Sequence, residues 1–304
     1  MTNYLGLDIG KTKLAAGIVS NNGTVNFYLE EPTDTSGGGQ KIIPQTMSII
    51  RRVANKGYTL NGIGVGSTGM IDHKRGYIIG SGSLPNFNNI PIMNILEKEF
   101  KVPVYVENDV NAATVGEYIF GAGKGTKSMA LLAIGTGVGI GIIIDGKLYH
   151  GAHEIAGQIA HIPLFAHGNK TTNDIISGAG IARRGTALWG REVSTADVFR
   201  FASEGKKEAK DIIEEAVRGG SIVIAWLQNI IDPEKIVLMG GVIENEENYF
   251  IKLKEYSTQL LRAYLAQLPE EIPLAKAKLG HQAGVIGAAA ACILQSKSCS
   301  VANI

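Results

Sequence analysis

The chain has 304 residues, 45% of them hydrophobic, and its 29 Lys and Arg nearly balance 28 Asp and Glu, leaving a formal net charge of +1. At roughly 150 residues per domain it divides into two, and a chain this long buries about three quarters of its unfolded surface without disulfide or metal staples. Near-neutrality with no block of like charge argues against nucleic acid or a membrane surface as partner, because both depend on a concentrated field of one sign.

In chain order, residues 4–7 read as a strand, 8–13 as a polar turn and 14–19 as a second strand closing a hairpin before Asn22 and Gly23. The start of the chain lacks the basic and apolar runs of a signal peptide. The spacing predicts an amphipathic helix over 42–56, a strand over 63–66 and a short helix over 92–100 leading to a strand at 104–106. Residues 112–120 are predicted helical, and 130–134 with 139–144 repeat the strand, glycine turn, strand pattern of the N-terminus. The apolar stretch 129–144 is too short for a bilayer and carries glycines at 135, 137, 139 and 141. A long helix over 212–231, a strand over 235–238 ended by Gly240 and Gly241, and an alanine-rich helix over 285–295 complete the pattern. Cys292 and Cys299 lie seven apart, on one helical face, and read as reduced thiols of a cytoplasmic protein. Alternating strands and helices make the class α/β, and the repeated hairpin points to two similar domains facing across a cleft, with ligands where the turns converge. The expected division is 1–111, completed by the helix 285–304, against 112–284.

Three glycine-bearing turns, at 8–13, 135–139 and 240–241, each follow an apolar strand, and free N–H groups in such turns form a concave anion site. Thr12 and Thr136 add hydroxyl donors, and Lys11 and Lys13 add charge. A glycine hairpin alone needs no ligand, but three with hydroxyls form a pattern. Gly64, Gly66 and Gly69 match a dinucleotide fingerprint, yet no helical periodicity follows them. Residues 141–148 approach a P-loop, but Leu148 stands where Ser or Thr would hold magnesium, and Asp145 with Gly146 predicts a hairpin turn instead.

Glu107, Asn108, Asp109 and Asn111 follow a strand and precede a helix, where ligands gather in open α/β sheets. Asn108 or Asp109 could simply cap that helix. Phosphoryl transfer gives a second reading, since it needs positioned phosphates, a metal and an oriented acceptor oxygen. With an ordinary pKa of about 3.9, Asp109 would orient a hydroxyl and take its proton late. Asp8, beside the first turn, is the magnesium candidate. H-E-x-x-H does not occur. Gln158 and His161, three apart, could share a helical face and offer hydrogen bonds to a polyhydroxyl ligand.

At these residues the sequence resembles the ROK family (repressors, open reading frames and kinases) of the actin, hexokinase and Hsp70 superfamily. LGLDIGKTK resembles its first phosphate motif, IGTGVGIGIIIDGKLYHG the second, VLMGGVI the adenosine motif, VENDVNAA the catalytic segment and GVIGAAAA the final helix. The resemblance implies two actin-like ATPase (ribonuclease H-like) domains, Asp109 as catalytic base, and sugar contacts from Asn108 and His161. It places Gly10, Thr12, Thr136, Gly137, Gly240 and Gly241 around ATP and magnesium; Lys11, Lys13 and Gly135 of the same turns join the expected nucleotide site, and Asp8 stays the magnesium candidate. Gly69, Asn86, Gln158 and Asn173 complete the expected sugar site. The family reaction moves the γ-phosphoryl of ATP to a hexose, commonly at C6, and the resemblance also implies a homodimer.

Some positions depart from the family pattern. Gly157, Gln158, Ile159, Ala160 and His161 stand where Gly, Glu, Ile, Gly and His are usual, and 163–176 holds no cysteine, so no structural zinc is expected. Asn173 or Asp174 stands for a second sugar-binding glutamate, Lys11 replaces a glycine, and Ser83 lies near an expected asparagine for which Asn86 could substitute. The resulting reading is a cytoplasmic ATP- and magnesium-dependent hexose kinase, glucose C6 first and an N-acetylhexosamine (ManNAc or GlcNAc) or other hexose next. Two readings compete with it: a non-catalytic sugar-binding regulator, and a repressor, for whose helix-turn-helix the first phosphate strand at Tyr4 leaves no room.

Overall fold

In a computed structural model of the chain, which describes residues 2–164, 170–265 and 272–301, β1 (Asn3–Ile9) buries Leu5, Leu7 and Ile9 completely on one face. That period of two is the signature of a strand with a core on that side. β2 (Lys13–Ser20) and β3 (Val25–Pro32) continue it as an antiparallel meander. α1 (Gly39–Ala54) lays Ile42, Ile49, Ile50 and Val53 over the same core. β4 (Leu60–Ser67) returns parallel to β1, followed by the small hairpin of β5 (Met70–Asp72) and β6 (Tyr77–Gly80). α2 (Ile92–Phe100) leads to β7 (Val104–Asn108), parallel to β4, and α3 (Asp109–Phe120) starts directly from its end. The sheet order is β3-β2-β1-β4-β7.

The pattern then repeats. β8 (Met129–Ile134), β9 (Val138–Ile144) and β10 (Lys147–Leu148) form a second meander, its last turn made by Asp145 and Gly146 at φ 50° and 75°, as the sequence predicts. α4 (Thr172–Ile176), α5 (Gly178–Trp189), α6 (Thr195–Ser203) and α7 (Lys207–Ile231) precede β11 (Lys235–Met239). α8 (Gly241–Asn245), α9 (Glu247–Leu265) and β12 (Leu274–Lys276) follow, giving the order β10-β9-β8-β11-β12. Each sheet therefore runs third, second, first, fourth, fifth strand, with the last two parallel to the first. The second core packs Leu132, Ile134, Ile236 and Leu238 against Ala216, Val217, Val223 and Ile224 of α7.

The final helix, α10 (Ala283–Val301), completes the first half. Its backbone lies so close to the first sheet that a Cβ on Gly6 would fall 1.9 Å from the Val285 carbonyl oxygen, and one on Gly64 would fall 1.8 Å from that of Ala288. Gly64 is thus a helix-packing glycine and not part of a dinucleotide fingerprint, in line with the strand, not a helix, that follows Gly69.

Two compact units result: Met1–Gly125 with Leu148–Ile155 and Lys278–Ile304, and Thr126–Lys147 with Ala156–Ala277. The division falls after Gly125 and not at Asn111, because α3 packs on α10 through Gly116 and Gly287 and so belongs to the first unit. β3 goes unannounced in the sequence because its pattern is half-exposed along its whole length. Cys292 is a buried free thiol, while the Cys299 side chain and residues 302–304 lie outside what is described. Among the described residues no helix is long and apolar enough to cross a membrane.

Candidate active site

In the first unit, parallel pairing sets Asp8 of β1 level with Gly66 of β4 and Glu107 of β7. Asp8, Asn108 and Asp109 therefore gather at the carboxyl ends of parallel strands, where α/β sheets place ligands. Burial pushes the Asp8 carboxyl up to about 7, the charge of Asp109 adds to this, and Lys13 opposes it. The first turn of α10 closes on this carboxylate, since a Cβ on Gly284 would fall 2.3 Å from its Oδ2. Asp109 is also raised, chiefly by burial, against hydrogen bonds from the Val110 N–H and from Asn108 that favour its charged form. Two mutually repelling, partly buried carboxylates are the hard-oxygen donor set that a divalent cation such as magnesium takes.

Asn108 caps α3: its Oδ1 accepts from the N–H groups of Val110 (3.0 Å) and Asn111 (3.3 Å). Its Nδ2 donates to the Gly69 carbonyl at 3.0 Å. Gly69 sits at φ 109°, and a Cβ there would lie 2.3 Å from the Gly80 oxygen, so the turn requires glycine. The capping reading and the functional reading of Asn108 are therefore compatible: the cap fixes Asp109 as the first residue of the helix. Asn86, exposed and at φ 51°, accepts the Gly39 N–H through its carbonyl at the start of α1. Ser83 instead joins Thr68 and Ser81, its Oγ 3.0 Å from each hydroxyl.

The first glycine turn is closed by Gly10 N–H donating to the Lys13 carbonyl at 2.9 Å and by Thr33 Oγ1 donating to Gly10 O at 2.8 Å. Lys11 and Thr12 stand exposed at its tip. Lys13 does not: its Nζ lies 3.2 Å from Glu30 and donates to Tyr28. Its charge is committed to β3.

In the second unit, Gly135 N–H donates to the Gly137 carbonyl at 3.0 Å, and Gly178 N–H to that of Gly135 at 2.8 Å. A Cβ on Gly135 would meet nothing within 4 Å, and one on Gly137 only Asn173 Oδ1 at 3.6 Å. Neither has a positive φ. Packing does not demand glycine at either place, so close approach of a ligand to the backbone is the remaining physical use for it. Gly240 differs, being required at φ 104° beneath the Ile134 carbonyl, while Gly241 opens the five-residue α8.

Residues 157–162 run as an irregular strap, so Gln158 and His161 do not share a helical face. Gly157 at φ 81° lies flat on β9, where a Cβ would fall 1.9 Å from the Ile140 oxygen, and it accepts the Ile140 N–H at 3.0 Å. Asn173 and Thr172 N–H groups donate to the carbonyls of Ala160 and Ile162. These pairings fix both ends of the strap and leave the Gln158 and His161 side chains exposed. Asp174 is consumed by the capping box of α4 with Thr171 and by Arg183, which leaves Asn173, facing Gly137, as the ligand candidate of the two.

Behind Asp109 the sequence-marked Glu107 and Asn111 join a hydrogen-bonded cluster whose Tyr105, His150 and His73 the sequence reading did not find. Glu107, fully buried, accepts from Asn108 N–H and Asn111 Nδ2 with Oε1, and with Oε2 it accepts from Tyr105 OH at 3.2 Å and meets His150 Nε2 at 2.7 Å. His150 stacks on His73, which contacts Glu154. His73 and His150 are far apart in sequence and on no common element, so no local pattern signals them.

The model of one family, ROK, matches residues 4–294. The chain belongs to the ROK family. A glucokinase of Halalkalibacterium halodurans is 31% identical over 311 residues, covering 93% of each chain. The ROK hexokinase of Thermus thermophilus is 31% identical with a TM-score of 0.85, over 98% of this chain and 100% of that one. A ROK glucokinase from Streptomyces griseus, solved with glucose and AMPPNP, is 27% identical with a TM-score of 0.76, over 94% and 98%. This ROK protein is accordingly a sugar kinase, and its two five-stranded sheets of like order are those of the actin-like ATPase fold.

Proposed function

We propose that this ROK kinase transfers the γ-phosphoryl of ATP to a hexose hydroxyl, the C6 hydroxyl of glucose first among them. The observation that carries the reading is Asp109, fixed as the first residue of α3 by the Asn108 cap and raised above the ordinary carboxylate range by burial. A carboxylate so held orients an acceptor hydroxyl. As the oxygen bonds to γ-phosphorus and the bond from that phosphorus to the β-γ bridging oxygen breaks, Asp109 takes the hydroxyl proton and ADP departs. Gly10, Lys11, Thr12, Gly135, Thr136, Gly137, Gly240 and Gly241 are assigned to the nucleotide. Asn108, Gly69, Asn86, Gln158, His161 and Asn173 are assigned to the sugar, with Asn108 and Gly69 acting mainly by positioning Asp109. Asp8 would hold magnesium, which when bound neutralises phosphate charge.

The reading is tested by coupled ADP release with ATP and magnesium against hexoses and N-acetylhexosamines, beside Asp109→Asn. Turnover on glucose that falls at least about a thousandfold in the variant is expected. Preference for an N-acetylhexosamine would reassign the substrate to Gln158, whose amide stands where the family pattern has a carboxylate. ATP binding with no turnover on any sugar would move the chain to the non-catalytic sugar-binding reading.

A further inference from the structure

We propose that His73, His150 and Glu154 form a binding site for a borderline divalent cation of the zinc type, apart from the phosphoryl-transfer residues. All three belong to the first unit: His73 in the turn between β5 and β6, His150 and Glu154 on the returning segment Leu148–Ile155. One ligand atom from each lies within 4.8 Å of the others, and the three side chains are mostly covered yet still reached by solvent. Two imidazoles and one carboxylate form the donor set of three-ligand zinc sites, which leave a fourth position to water; magnesium prefers oxygens throughout.

The surrounding groups support the assignment independently. His150 is already bound through Nε2 to the buried carboxylate of Glu107, so the nitrogen left for a cation is Nδ1. A carboxylate on the remote nitrogen is the partner that metal-bound histidines characteristically have, because it fixes the ring and raises its basicity. Glu107 is itself held by Tyr105, the Asn108 N–H and Asn111. Glu154 stands at φ 61°, a conformation that costs a non-glycine residue energy and that persists where the side chain is needed in one place. There its Oε2 lies 2.6 Å from His73 Nδ1. A cation would take the place of the proton shared across that contact.

The two rings stack at 3.8 Å between centroids, 10° from parallel. Bonds of about 2.0–2.1 Å to a tetrahedral ion separate ligand atoms by roughly 3.4 Å, so binding would part His73 Nδ1 from Glu154 Oε2, now 2.6 Å away, and reorient the stacked rings. Once bound, the ion would fasten Leu148–Ile155 to the β5–β6 turn.

The test uses untagged full-length protein, stripped with chelator and titrated with Co²⁺ at about pH 8, where protons compete least for imidazole. The visible absorption of Co²⁺ reports the ligand set, and displacement by Zn²⁺ gives relative affinity. With Mg²⁺ in excess to occupy the oxygen donors assigned to Asp8, one Co²⁺ per chain is expected, with affinity reduced at least about tenfold in His73→Ala and His150→Ala and about tenfold or more in Glu107→Gln. Glu154→Gln, which keeps the side-chain shape, guards against misfolding of the alanine variants and should also weaken binding. His153→Ala, His161→Ala and Asp8→Asn should leave it unchanged. Absence of binding in large excess of Co²⁺, or binding unweakened in both histidine variants and Glu154→Gln, would overturn the proposal.

Discussion

Asp8 carries a pH dependence that follows from where it stands. In the unfolded chain its carboxyl releases a proton near 3.8, whereas the folded chain holds that proton up to about 7. Between those values the unfolded state binds fewer protons, so stability falls as pH rises, and Asp109, raised in the same direction, adds to the slope. For metal-free protein the Asp8 contribution amounts to up to about 4 kcal/mol lost between pH 4 and 8. Urea unfolding in chelator at pH 5 and pH 8 should show the loss, and Asp8→Asn should flatten it; an unchanged slope in that variant would remove Asp8 as its source. Asp8, Asn108 and Asp109 stand out in the sequence because each lies at or next to the end of an apolar strand, a position that local pattern reveals. The fate of Lys13 was not, because its partner Glu30 sits on β3, whose half-exposed pattern gave no strand signal. One missed element thus hid one side-chain commitment.

Among the elements, α3 and α10 depend on glycine and on one buried acid. A Cβ on Gly64 would fall 1.8 Å from the Ala288 carbonyl, a backbone atom that cannot swing aside. Gly64→Ala should therefore destabilise by about 3 kcal/mol or more in denaturant unfolding, well beyond the usual cost of an added methyl. A loss below about 1 kcal/mol would mean that the helix slides freely on the sheet. Glu117, fully buried near the end of α3, accepts from the N–H groups of Ala122, Lys278 and Leu279 at 2.7 to 2.8 Å. Glu117→Ala deprives three donors of their acceptor and should cost about 3 kcal/mol or more, with Glu117→Gln recovering part of it. The two glycine-turn hairpins were readable because an apolar strand followed by glycine is local information. The strap over 157–162 was not: it is shaped by pairing to β9 and α4, and the three-residue spacing of Gln158 and His161 imitates a helix that the Gly157 conformation forbids.

For the whole molecule, the decisive feature is how the chain is threaded. It passes from one unit to the other after Gly125, Lys147, Ile155 and Ala277, so neither unit is a continuous stretch that could loosen from one end. Freeing the first unit releases the anchors of the segments that enter and leave the second, and such coupling favours a single cooperative transition. The sequence supplies a separate probe for each unit. Cys292, in the first, is buried among Tyr4, Val19, Val285 and Ala289, and burial pushes its thiol up to about 12, so it should resist thiol reagents until α10 leaves the sheet. The chain's two tryptophans, Trp189 and Trp226, both lie in the second. In a Cys299→Ser background, urea titrations followed by Cys292 labelling and by tryptophan fluorescence should have coincident midpoints. Labelling that precedes the fluorescence change would show the first unit opening alone, held by its discontinuous segments less firmly than the threading implies.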